Sequence, residues 1–133
     1  MTSKAAAVST LVLRMPDMRA RYKENCERSA QWLRYYAQYC TPDAFALERA
    51  TESQRLRTMR EKLDAAERLI SGAKDKEILT LRASGVAWVA VGMRVHYSER
   101  ALLLRYADAC AALYPAAAAA GLVPDPCPAR PDR

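Results

Sequence analysis

The chain has 133 residues, enough for one domain with its own hydrophobic core. A composition of 51% hydrophobic and 27% charged residues is globular and excludes a disordered polymer. The net charge is +6 with a pI near 9.4, and no apolar run approaches the roughly 20 residues that a membrane-spanning helix needs. Only four glycines occur among abundant alanines, a balance that favours helix over sheet.

Residues 1–15, MTSKAAAVSTLVLRM, contain Lys4 and Arg14 but no acid. They read as an ordinary flexible or helical N-terminal extension. The sharper reading is a mitochondrial targeting leader, which has this acid-poor, Ser- and Ala-rich character. The apolar patch Leu11–Leu13 is too short for a secretory signal.

Pro16–Cys40 carries the strongest helix pattern. Proline suits a first helical turn, and Asp17 complements the positive end of the helix dipole. Met18, Tyr22, Cys26, Ser29, Trp32 or Leu33, Tyr36 and Cys40 recur every three or four residues, which defines one helical face. Tyr22, Trp32, Leu33 and Tyr36 are therefore expected in the core. Tyr35 and Tyr39 lie beside that face, as residues of a protein interface would.

Residues 1–40 hold seven Lys/Arg against three Asp/Glu, so the positive bias sits at the N-terminal end. Such a bias fits nucleic acid, an acidic protein face or a membrane surface.

Thr41-Pro42-Asp43 stops the first helix and begins a second, which reaches Gly72. Leu56, Met59, Leu63, Ala66 and Ile70 form a short heptad-like seam. Arg57 and Glu61, Arg60 and Asp64, and Asp64 and Arg68 are spaced for ion pairs along the helix. Thr51 with Gln54 resembles a capping box, so a break near Ala50 is an alternative to one continuous helix.

Asp75–Ala83 reads as a short third helix with Ile78, Leu79 and Leu81 inward. Val86–Tyr97 alternates like a strand. However, no second strand exists to satisfy its ladder bonds, so helix is preferred. Ser98–Tyr114 is a capped helix with Leu102, Leu103, Tyr106, Cys110 and Leu113 inward, ended by Pro115. The remainder holds five of the seven prolines and reads as extended or disordered.

Trp88, Val91 and Gly92 resemble the W-x2-L-G opening of a tetratricopeptide helix pair, and Ala101 and Pro115 fall near its later marker positions. The likeness covers about 28 residues in the sense of that repeat. It departs at Val95, where the repeat has tyrosine, and is read as a generic helical-hairpin signature. It implies a peptide-binding adaptor or a chaperone.

No catalytic constellation assembles from the sequence. His96 is the single histidine, and no phosphate loop, HExxH or GxSxG motif occurs. A small-enzyme reading would require His96 in a pocket facing a carboxylate or thiol. Without a close cysteine pair or a second histidine, no metal site or cofactor is expected. Cys26, Cys40, Cys110 and Cys127 read as free thiols of a reducing compartment, although Cys26 or Cys40 bridging to Cys110 or Cys127 is the alternative.

The expected architecture is all-α: four or five mainly antiparallel helices with a flexible Pro/Ala-rich C-terminal tail. Its parts are an extension (1–15), a helical domain (16–114) and a tail (115–133). The expected role is a non-catalytic structural or adaptor subunit of an intracellular assembly, cytoplasmic or mitochondrial. Arg21, Arg28, Trp32, Arg34, Tyr35 and Tyr39 are the expected partner-binding residues. The rival from another class is an RNA-binding component of a ribonucleoprotein, resting on Arg14, Arg19, Arg21, Lys23, Arg28 and Arg34 interleaved with Tyr22, Trp32 and Tyr35, a patch that Glu24 and Glu27 interrupt.

Overall fold

The computed structural model describes residues 1–124; residues 125–133 of the expected tail, Cys127 among them, lie outside the described residues. Five helices follow in order: α1 (Ser3–Ala37), α2 (Pro42–Ser71), α3 (Lys76–Ala83), α4 (Trp88–Val95) and α5 (Glu99–Ala119). The all-helical expectation holds among the described residues, and Val86–Tyr97 contributes a helix. None of the described helices is long and apolar enough to cross a membrane.

The helices divide between two compact units, residues 17–64 and residues 1–16 with 65–124. The first is a helical hairpin made by the later part of α1 and most of α2. Its register is antiparallel: Tyr22 lies against Arg60, Asn25 accepts from Arg55 at 2.7 Å, and Trp32 donates to Glu48 at 2.8 Å. The turn is built as its residue types require. The Ala44 N–H donates to the Thr41 hydroxyl at 3.2 Å, and Pro42 occupies the first helical position. α2 then runs without a break at Ala50.

The second unit holds nearly all of the buried side chains. Ala5, Val8, Val12 and Met15 step along α1 at helical spacing and are all buried. Ile78, Leu79, Val91, Leu102, Tyr106, Cys110 and Tyr114 complete this core from α3, α4 and α5. α1 and α5 run antiparallel here, since Ser9 meets Tyr106 at 2.7 Å and the Lys4 ammonium lies over the Tyr114 ring. Arg82 donates to the Val86 carbonyl and covers Trp88, which stands edge-on to Tyr106. One chain of contacts thus joins α3, α4, α5 and α1.

Two expected boundaries fall inside helices. α1 begins at Ser3, thirteen positions before the start expected at Pro16, because the Thr2 hydroxyl caps it by accepting from the Ala5 N–H at 3.1 Å. Pro16 is an interior residue whose missing N–H leaves the Val12 carbonyl without its helical donor. Likewise, α5 continues through Pro115 to Ala119. It stops at Gly121 (φ 70°), where the Leu122 N–H returns to the Ala117 carbonyl and the Gly121 N–H to that of Ala118. The same closure ends α3 at Gly85 (φ 83°), as the Ser84-Gly85 signal implied.

Candidate functional site

The six sequence-selected residues lie on the hairpin unit, along α1 and the turn that follows it. None of the residues expected in the core on this face, Tyr22, Trp32, Leu33 and Tyr36, is fully covered. Met18, Tyr22, Cys26, Leu33 and Tyr36 are half-buried and Ser29 is buried, but Trp32 is 41% exposed. Leu33, not Trp32, takes the inward position of that turn. Two adjacent helical positions cannot both point inward against a single partner helix.

Trp32 instead forms the base of an exposed aromatic ladder. Its ring stacks against Tyr36 at 5.3 Å and Tyr35 at 6.1 Å, and Tyr35 lies 5.0 Å from Tyr39. Tyr35 is 56% exposed and Tyr39 73% exposed. The indole N–H is fixed by Glu48 of α2, which orients the whole stack. α1 ends at Ala37 and bends through 38–40, so Tyr39 and Cys40 sit on the turn and not on the helix. Leu47 is also strongly exposed on α2 within this unit.

The arginines divide into two sets. Arg21 pairs with Asp17 at 2.9 Å, and Arg28 pairs with Glu24 at 2.7 Å, each one helical turn apart. These exposed pairs contribute little stability, but they neutralise much of the expected basic stripe. Arg34, in the last turn of α1, has no ion pair among the described residues and leaves its charge beside the ladder.

Elsewhere the candidate chemistry resolves into structure. His96 is exposed and takes a left-handed conformation (φ 59°) at the end of α4, a backbone position that histidine tolerates better than most side chains. Among the described residues no carboxylate or thiol is recorded against it. Cys26, Cys40 and Cys110 are free thiols. No group of His, Cys, Asp and Glu among the described residues is placed to hold a metal ion. Burial pushes the Cys110 thiol up to about 11 and the Tyr106 phenol up to about 12, which favours the protonated form of each.

Two features were not anticipated from the sequence. The Trp32–Glu48 bond joins residues on different helices, so nothing in either local pattern announces it. An exposed apolar face on α4 and the first turns of α5 is the other; there Leu103, expected inward, is partly exposed. Its only local signal is that WVAVGMRV is apolar at every position but Arg94.

No known protein family matches the chain, and no curated protein or solved structure matches it either. The class that fold and site define is an all-α protein with an exposed aromatic ladder.

Proposed function

We propose that this protein is a non-catalytic adaptor or structural subunit that docks another protein on the aromatic ladder of its α1–α2 hairpin. One observation carries the reading: Trp32, Tyr35 and Tyr39 form a largely exposed row in which each ring contacts the next, with the Trp32 indole N–H held by Glu48. Stacked tyrosines lose little side-chain entropy on binding and present wide amphipathic surfaces, the properties that make tyrosine and tryptophan interface anchors. Arg34 adds one uncommitted donor group at the same end. The pairing of Arg21 with Asp17 and of Arg28 with Glu24 favours a protein over RNA, because phosphates would have to displace those carboxylates.

The test is purification of the tagged protein from its own cells, with and without nuclease, beside a Tyr35→Ser/Tyr39→Ser variant. Stoichiometric proteins that survive nuclease and are lost from the variant are expected. Removing one anchoring tyrosine costs about 2 kcal/mol, or roughly 30-fold in affinity. Both side chains are exposed, so the variant keeps its melting temperature. Partners that vanish with nuclease would replace this reading with the RNA-binding one. A protein that purifies alone in both arms would overturn both.

A further inference from the structure

The second unit carries an apolar face that its own core does not use. Val91 of α4 is fully buried. On the other side of the same helix Val89 and Met93, one turn apart, are 77% and 72% exposed. Between this side and the first turn of α5 lies an open groove of about 340 Å³, walled by Trp88, Gly92, Met93, Tyr97 and Leu102. Glu99 is the only charged residue in its lining. Glu99 also borders a shallow neighbouring depression formed with Arg100, Leu103 and Leu104. The apolar surface therefore continues from Met93, past Glu99, to the exposed Leu104.

We propose that this face is the two-fold interface of a homodimer. Met93 and Val89 of one copy enter the groove of the other, and Glu99 of each copy faces Arg100 of its partner. The occupant follows from what the face displays. A two-fold interface must be complementary to itself. This one presents projecting apolar side chains beside a groove able to receive them. It also presents one acid beside one base, neither of them committed to an ion pair among the described residues. A partner of a single charge sign would leave Glu99 or Arg100 unmatched, and an anionic membrane surface would repel Glu99. A second copy satisfies both charges and covers both leucines. Contiguous exposed apolar surface of this kind marks an interaction site in a soluble protein. The dimer face lies on the unit that does not carry the aromatic ladder, so the two proposals stand independently.

The test is the mass of the full chain in solution across a dilution series. The wild type is expected to move from monomer to dimer with rising concentration. Met93→Asp, at an exposed position, is expected to weaken association at least tenfold while leaving the circular dichroism spectrum unchanged. Glu99→Arg and Arg100→Glu each place like charges across the two-fold axis and are expected to weaken association as well. Mixing these two charge variants in equal amounts restores a dimer, now mixed, because the partners are again complementary. Arg100→Glu places an acid in the first turn of α5, which the helix dipole favours, so loss of fold does not explain its monomer. A wild type that stays monomeric up to about 100 μM, well above the Kd of most specific complexes, would overturn the proposal. So would a dimer indifferent to Met93→Asp, or a mixture that fails to recover.

Discussion

The packing of the second unit is decided at a few side chains. Tyr106 is the clearest: its ring meets Trp88, its hydroxyl meets Ser9 at 2.7 Å, and the Cys110 thiol lies beside it. The 3.6-residue period alone placed Tyr106 and Cys110 on an inner face. It did not pair Tyr106 with Ser9, because that contact joins residues 97 positions apart. Burial has a pH consequence. An unfolded thiol ionises near 9.0, whereas folded Cys110 holds its proton to about 11; an unfolded phenol ionises near 10.0, whereas Tyr106 holds its proton to about 12. In the window between those values the unfolded chain binds fewer protons than the native one, so stability falls as pH rises. The contribution is intact below pH 9 and is lost progressively above it. Urea titrations from pH 7 upward should show a decline that starts near pH 9. In Cys110→Ala it should start nearer pH 10, where Tyr106 alone acts. A stability that is flat across this range would show that neither group is shielded.

At the scale of elements, ends mattered more than interiors. Thr41-Pro42, Ser98 and Gly85 were legible, because a cap or a left-handed residue acts through bonds three to five positions away. Ser98 does cap α5, accepting from the Ala101 N–H at 3.2 Å. The two prolines were misread as boundaries. An interior proline costs about 3 kcal/mol, which a flanking buried face can outweigh. Val12 and Met15 precede Pro16, and Tyr114 and Ala117 flank Pro115; all four are buried. The true stop of α5, Gly121, lay unread behind a run of alanines. Two glycine substitutions separate the effects of backbone and space. Gly121→Ala meets no atom within 4 Å but forces alanine to φ 70°, and should cost about 1 kcal/mol. Gly92→Ala lies within α4, where the added methyl makes only ordinary contacts at 3.6 Å. It should stabilise by up to about 1 kcal/mol through helix propensity. Thermal melts of the two variants should move in opposite directions.

Over the whole molecule, burial is divided unequally between the two units. Within residues 17–64 only Ser29 and Leu63 are buried, while every other buried residue belongs to the second unit. A hairpin with so little core opens locally at low cost. In hydrogen exchange, amides of residues 20–60 should exchange well before those of 102–117. Uniform protection would mean that the hairpin is tied down by contacts other than its own. If the ladder binds a protein as proposed, the partner should slow exchange at the end of α1, since binding stabilises the state it selects.

The all-helical character and several helix ends were determined by the sequence alone. Periodicity, capping hydroxyls and scarce glycine are local properties, and they act within one or two turns. Other features were decided only by tertiary structure. Residues 1–15 became part of a core, Trp32 was turned outward and tied to Glu48, and an apolar face was left open on α4. Each of these depends on which surfaces meet across long stretches of chain. Local pattern marks a side chain as apolar without stating whether another element arrives to cover it.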